Sequence, residues 1–252
     1  MNLLDPRRGD AGGGGVKQIV WIAACGSFLA ASVTKDAVAQ DGDLAVILKG
    51  NLTSSVEIYP NPKSSDPGLR AQYYSLDNVI GAGVEVRYRI PESLVAIGLS
   101  SDYLHAVQSR SVPMASRQEV PVEDGYTVVP VEFSAYFIIP ASGPTLGLFM
   151  GGGVGAYFGR REYSFAGVSA PVVSTAPGFG IHVLAGVSYR VMEQFSVVGE
   201  MKFRDLQFQS TNAFQVDQIS AGGAVFNVGR RPFESRVQTD GVVFQIGVAF
   251  HI

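Results

Sequence analysis

Few residues of this chain are placed to do chemistry. Glu85, Arg87, Glu132, Glu200, Lys202 and Arg204 stand between apolar neighbours, most of them at every second position. Acids and bases spaced by two share one side of an extended chain. There they could form an ion path, a catalytic cluster, or a network that neutralises itself. Charges in a narrow apolar setting are costly unless paired, and paired ones need no further function. The expectation is therefore a structural network, with Glu132 or Glu200 meeting Arg87 or Arg204. His105 leads the stretch His105-Ala106-Val107-Gln108-Ser109, which offers an imidazole and a hydroxyl for nucleophilic chemistry.

Other signatures are weaker. Gly151-Gly152-Gly153-Val154-Gly155-Ala156 contains G-x-G-x-x-A, but a dinucleotide fingerprint needs a helix after it. None is patterned there, so the glycines read as a row on one face of a strand. His105, His182 and His251 are far apart and lack metal-motif spacing, and the single cysteine, Cys25, excludes an internal disulfide. No catalytic, cofactor-binding or metal-ligating residue is expected, and no cofactor.

These residues sit in an unusual composition. Of the 252 residues 46% are apolar and only 16% charged, against about 25% charged in ordinary soluble domains. Glycine, at 30 residues, and aromatics are abundant, which suits strands better than helices. A net charge of −3 gives no reason to expect nucleic acid as a partner.

The N-terminus reads as an export signal. Lys17 precedes the apolar run 18–33, QIVWIAACGSFLAASV, and Ala37-Val38-Ala39 supplies a cleavage site. The expected division is a signal peptide over 1–39 and one domain over 40–252, with Val16 as a candidate true start. The run continues through Phe28 and Val33, so Cys25 reads as part of the signal core and not as a lipidated cysteine. Arg7-Arg8 lacks the rest of a twin-arginine signal, and Arg8-Gly9-Asp10 would leave with the leader.

The domain alternates between apolar and polar eight times: over about 44–59, 78–90, 94–109, 126–139, 145–160, 179–190, 195–209 and 241–252. In the first stretch Leu44, Val46, Leu48, Leu52, Val56 and Ile58 are expected on one face, with Lys49, Asn51, Thr53 and Glu57 on the other. The second is the clearest, with Ile80, Ala82, Val84, Val86 and Tyr88 against Glu85, Arg87 and glycines. No stretch keeps a helical period. Each is long enough to cross a bilayer as a tilted strand, which takes about 9–11 residues. Tight turns are expected at 91–93, 140–144 and 191–194, and long polar loops at 60–77, 110–125, 161–178 and 210–240. The last of these could instead prolong the strands that flank it, or present an adhesive or ligand-binding surface.

Alternation does not say which face looks out, and a lipocalin-like soluble barrel would put the apolar face inside. Two features favour the inverse. The polar face mixes glycines with balanced charges, as the narrow interior of an eight-stranded barrel requires. Aromatics of the apolar face gather near strand ends: Tyr88, Phe137, Tyr189, Phe195 and Phe250 by the short turns, and Tyr103, Phe158, Phe179 and Phe203 by the long loops. Bilayer interfaces select two such rings.

Over about 40–252 the chain resembles the small outer-membrane β-barrel families typified by outer membrane proteins A, W and X. The resemblance lies in VVPVEFSAYFIIP, in GLFMGGGVGAYFG, and in the alternating terminal GVVFQIGVAFHI, which ends in Ile252 with Phe250 two residues earlier. It implies an all-β fold, an eight-stranded antiparallel up-and-down transmembrane β-barrel in the outer membrane of a Gram-negative envelope. The implied partners are outer-membrane lipid and lipopolysaccharide, with the barrel-assembly machinery during insertion, around a monomer. Lipid A deacylases are also eight-stranded and use a His, a nearby Ser and a Glu, but His105 lacks their His-x-Ser spacing. The expected function is non-enzymatic: a barrel with a plugged, narrow lumen and a structural or adhesive role, or one with small hydrophobic molecules. A lipid A deacylase-like enzyme and a soluble lipocalin-like binder are the alternatives, and a general diffusion porin is not expected.

Overall fold

Alternating stretches joined by Gly- and Pro-containing turns can satisfy their backbone only by pairing with one another. The computed structural model describes residues 44–113, 119–140, 145–239 and 241–252. The expected signal peptide, cleavage site and Cys25 lie outside these residues. The described residues form fourteen strands and one short helix. The strands are β1 (Leu44–Tyr59), β2 (Tyr74–Arg89), β3 (Val95–Pro113), β4 (Glu119–Ile138), β5 (Leu146–Phe165), β6 (Val168–Ser169) and β7 (Val172–Ala176). They continue as β8 (Gly178–Met192), β9 (Phe195–Arg204), β10 (Leu206–Asn212), β11 (Gln218–Ala221), β12 (Ala224–Asn227), β13 (Phe233–Thr239) and β14 (Val242–His251). The helix α1 (Pro67–Arg70) lies between β1 and β2, with Asp66 accepting from the Gly68 amide at its start.

Three pairs of segments run on as single strands: β7 with β8, β9 with β10, and β13 with β14. The result is a ring of eight antiparallel strands, up and down, closed where β14 and β13 pair with β1. Among the described residues no helix is long and apolar enough to cross a membrane. Following partners from Leu44 through Tyr88, Ile97, Ala135, Gly152, Val183, Phe203 and Val242 leads back beside Ser54, ten residues along β1. This stagger is what tilted strands need in order to close. Between β3 and β4 the ladder passes from Ser101↔Val131 to Leu104↔Val128. Pro130 stands in that gap, with no N–H to give.

Two expectations are corrected. Val56 and Ile58 do not share the outward face of Leu48 and Leu52; they are fully buried. The alternation of β1 inverts after Ser54, and β2 inverts with it at Asn78, whose φ of 55° is a left-handed conformation that Asn tolerates. Each strand carries an extra residue at one level, so the side chains above it change face. Second, short and long connections do not alternate strictly. β3 and β4 stay paired from Val95↔Phe137 to Pro113↔Glu119, so only 114–118 separate them, and β5 runs to Phe165. The polar residues read as loop at 110–113, 119–125 and 161–165 belong to strands prolonged beyond the apolar belt. There the outward face can meet water instead of lipid and the buried face holds charges as well as apolar groups, so polarity no longer marks a strand's end. The 210–240 stretch likewise prolongs its flanking strands, as β10 and β13, and adds the β11–β12 hairpin.

Beyond the pair Tyr157↔Gly178, no ladder joins β5 to β7 among the described residues, and β7 pairs with β10 instead. The wall is bridged there by side chains. Ser210 Oγ accepts from the Arg161 amide at 3.1 Å, and Asn212 Nδ2 donates to the Arg161 carbonyl at 3.1 Å. Gly178 and Gly180 let the start of β8 come close to the β9–β10 junction, where a Cβ at either would collide with the carbonyl oxygens of Gln207 and Asp205, respectively.

Candidate functional site: the charges inside the barrel

The strand period sends the charged residues of β1, β2, β3, β4 and β9 into the lumen and their apolar neighbours outward. Leu48, Ile80, Phe179 and Ile181 are 66%, 73%, 78% and 63% exposed, whereas Glu85, Glu132 and Lys202 are 0% exposed. A water-soluble protein shows the opposite distribution. The aromatics expected in two rings all lie on the outward face: Tyr88, Phe137, Tyr189, Phe195 and Phe250 towards the short turns, Tyr103, Phe158, Phe179 and Phe203 at the other end.

Inside, the charges divide into two neutral groups of two cations and two anions. In the first, Lys49 Nζ donates to Glu85 at 2.6 Å and to Glu200 at 3.3 Å. Arg87 reaches Glu85 at 2.7 Å and Glu200 at 2.5 Å. Tyr136 donates its hydroxyl to Glu85 at 2.7 Å and lies under the Arg87 guanidinium, 3.9 Å from ring centre to Cζ. In the second, Lys202 donates to Glu132 at 2.7 Å, while Arg204 pairs with Asp102 and, at 2.8 Å, with Glu132. Both pairings expected from the sequence, Glu200 with Arg87 and Glu132 with Arg204, are present. Lys49 and Asp102 complete the balance; the alternation puts Lys49 on the polar face, but a period of two does not say which residue of another strand it meets.

Glycines make the room. A Cβ at Gly98 would stand 3.0 Å from the Tyr136 ring and 3.1 Å from Glu85, and one at Gly155 would stand 2.9 Å from both Glu132 and the Tyr157 hydroxyl. In the β5 row Gly155 leaves space for Glu132 and Tyr157, whereas at Gly151 and Gly153 a Cβ would meet the Ala135 and Phe133 carbonyl oxygens of β4. On the long-loop side the inverted faces of β1 and β2 add an apolar tier, where Val56, Ile58, Leu76, Leu104, Tyr126 and Phe208 meet in the lumen. Above this tier Arg161 holds Asp124 through two bonds of 2.7 and 2.5 Å. An aromatic cap follows, in which Tyr163 stands edge-on to Phe214 and Phe233. Burial in this cap, beyond the apolar belt, raises the Tyr163 phenol above its usual range.

The three histidines lie apart. His182 Nε2 is 2.8 Å from Ser134 Oγ in the lumen, and His251 Nε2 is 2.8 Å from Ser196 Oγ at the short-turn end. His105 faces outward near the cap, its Nδ1 3.0 Å from Thr127 Oγ1. That hydroxyl donates to Glu162 at 2.5 Å, so its proton is directed to the carboxylate and the imidazole is the donor to Thr127. A nucleophilic array needs the reverse, a histidine that takes the hydroxyl proton. Neither Thr127 nor Glu162 is legible in the sequence as a neighbour of His105, because Glu162 falls in the polar stretch 161–178, which reads as loop. Among the described residues no group of three or more His, Cys, Asp or Glu side chains is placed to hold a metal ion.

The closed ring of antiparallel strands finds its counterpart among solved structures. The outer membrane protein OprG of Pseudomonas aeruginosa superposes with a TM-score of 0.54 at 13% identity, over 84% of this chain and 97% of that one. The chain has the fold of the small outer-membrane β-barrels. Neisserial surface protein A matches at a TM-score of 0.47 and 12% identity, over 85% of this chain and 100% of that one. Ail, the attachment invasion locus protein of Yersinia pestis, matches at 0.45 and 12%, over 84% and 100%. No family model matches the sequence, and no curated protein does.

Proposed function

We propose that the chain is an integral outer-membrane barrel without catalytic activity, closed to solutes, that acts through its outer surface. The observation that carries this is the filling of the lumen by two neutral charge groups and an apolar tier, each of buried side chains. Opening a path would separate ion pairs in a setting where an unpaired charge costs about 3–5 kcal/mol. The partners that fit are outer-membrane lipid and lipopolysaccharide around the apolar belt, with the barrel-assembly machinery reading the terminal strand, β14. Closure of β14 on β1 within one chain supports a monomer. The prolonged β3–β4 hairpin and the aromatic cap are the surfaces on which a structural or adhesive role would rest. A role with small hydrophobic molecules is a second reading, favoured by the missing ladder between β5 and β7.

The test is conductance in planar bilayers. The purified barrel is expected to insert without stepwise current, and regular porin-sized steps from the wild-type protein would refute the closed lumen.

A further inference from the structure

At the short-turn end the lumen opens into a cavity of about 410 Å³ whose described lining includes Arg87, Arg89, Arg190 and His251 but no carboxylate. Arg87 is already held by Glu85 and Glu200 and closes the inner end. His251 is engaged with Ser196. Arg89 and Arg190 are exposed, and no carboxylate among the described residues pairs with either. The acids of the flanking turns, Glu92 and Glu193, stand outside the lining. The same lining carries the apolar side chains Leu94, Ile138, Phe149 and Val198 together with the hydroxyls of Tyr136, Thr145, Ser188 and Ser196. A guanidinium offers paired donors that match a carboxylate or phosphate. Small-ligand sites enclose about 300–1,000 Å³ and combine apolar walls with a few placed polar groups.

We propose that this vestibule binds a small anionic amphiphile, its head between Arg89 and Arg190 and its short tail against Leu94, Ile138, Phe149 and Val198. The site stands whether or not the lumen conducts, because it is read at the mouth of the barrel.

The experiment titrates the full mature barrel, in a non-ionic maltoside detergent, with hexanoate, 1-hexanol and inorganic phosphate. The readout is the amide NMR signals of Gly147, Ser188 and Ser196. Hexanoate is expected to give saturable shifts, 1-hexanol none, and phosphate an affinity at least tenfold weaker. The double variant Arg89→Gln/Arg190→Gln, and each single variant in case the double fails to fold, should lose at least tenfold in hexanoate affinity. Arg160→Gln, at the other end of the barrel, should lose nothing. Absence of saturable hexanoate shifts would overturn the proposal. So would equal binding of 1-hexanol, equal binding of phosphate, or an affinity unchanged in folded arginine variants.

Discussion

Replacing Glu132 by glutamine is expected to lower folding stability by about 3–5 kcal/mol, the usual loss when one partner of a buried ion pair is removed. Glu132 is fully buried and holds Lys202 at 2.7 Å and Arg204 at 2.8 Å. Without its charge the second group keeps two cations and a single anion, Asp102. Glutamine preserves the shape, so the loss reports charge and not a cavity. The double variant Glu132→Gln/Lys202→Met restores neutrality, leaving Arg204 with Asp102, and should regain much of the loss. Reversible urea unfolding in lipid vesicles, run as a double-mutant cycle, measures both. A glutamine variant as stable as wild type would remove the charge balance from the account, and so would a double variant no better than the single.

The second large effect is expected on the other face of the wall. Leu99 lies midway along the apolar part of β3, is 56% exposed, and pairs with Val86 and Phe133. Leu99→Arg should cost about 2–4 kcal/mol, as a cation facing lipid near the bilayer midplane does. Val107 lies on the same face of the same strand, 44% exposed, in the part that continues beyond the apolar belt. Val107→Arg should stay within about 0.5 kcal/mol of wild type, as surface substitutions usually do. The contrast belongs to the membrane and not to the strand. Equal and small effects at both sites, in the same vesicle assay, would mean that this face meets water.

The barrel was legible because its period is simple. Six of the eight strands keep one parity throughout the apolar belt and β1 and β2 keep theirs up to Ser54 and Asn78, so Glu85, Glu132, Glu200, Lys202 and Arg204 could be placed together inside it before any pairing was known. The inversion at Ser54 and Asn78 was not legible. One extra residue leaves apolar side chains on both sides of the break, and Val56 and Ile58 look the same in sequence whichever way they face. Strand ends beyond the belt were misread for a related reason. Alternation is a signal of unequal surroundings, and it fades where the outward face can meet water and the buried face holds charges, although Val120 and Val122 still point into a buried interior. The Thr127–Glu162 contact fell with it, since one partner lay in what read as loop. The basic vestibule was hidden differently: Arg89, Arg190 and His251 belong to three strands that only ring closure brings together.

A closed ring of strands turned inside out for a membrane resists detergent until it is heated. The most direct test is migration of the mature chain, extracted from outer membrane with detergent, on a semi-native gel before and after boiling. Recovery in the outer-membrane fraction and a clear shift on boiling are expected, as the ring of backbone hydrogen bonds is lost. Recovery in the soluble periplasmic fraction, with no shift on boiling, would contradict it.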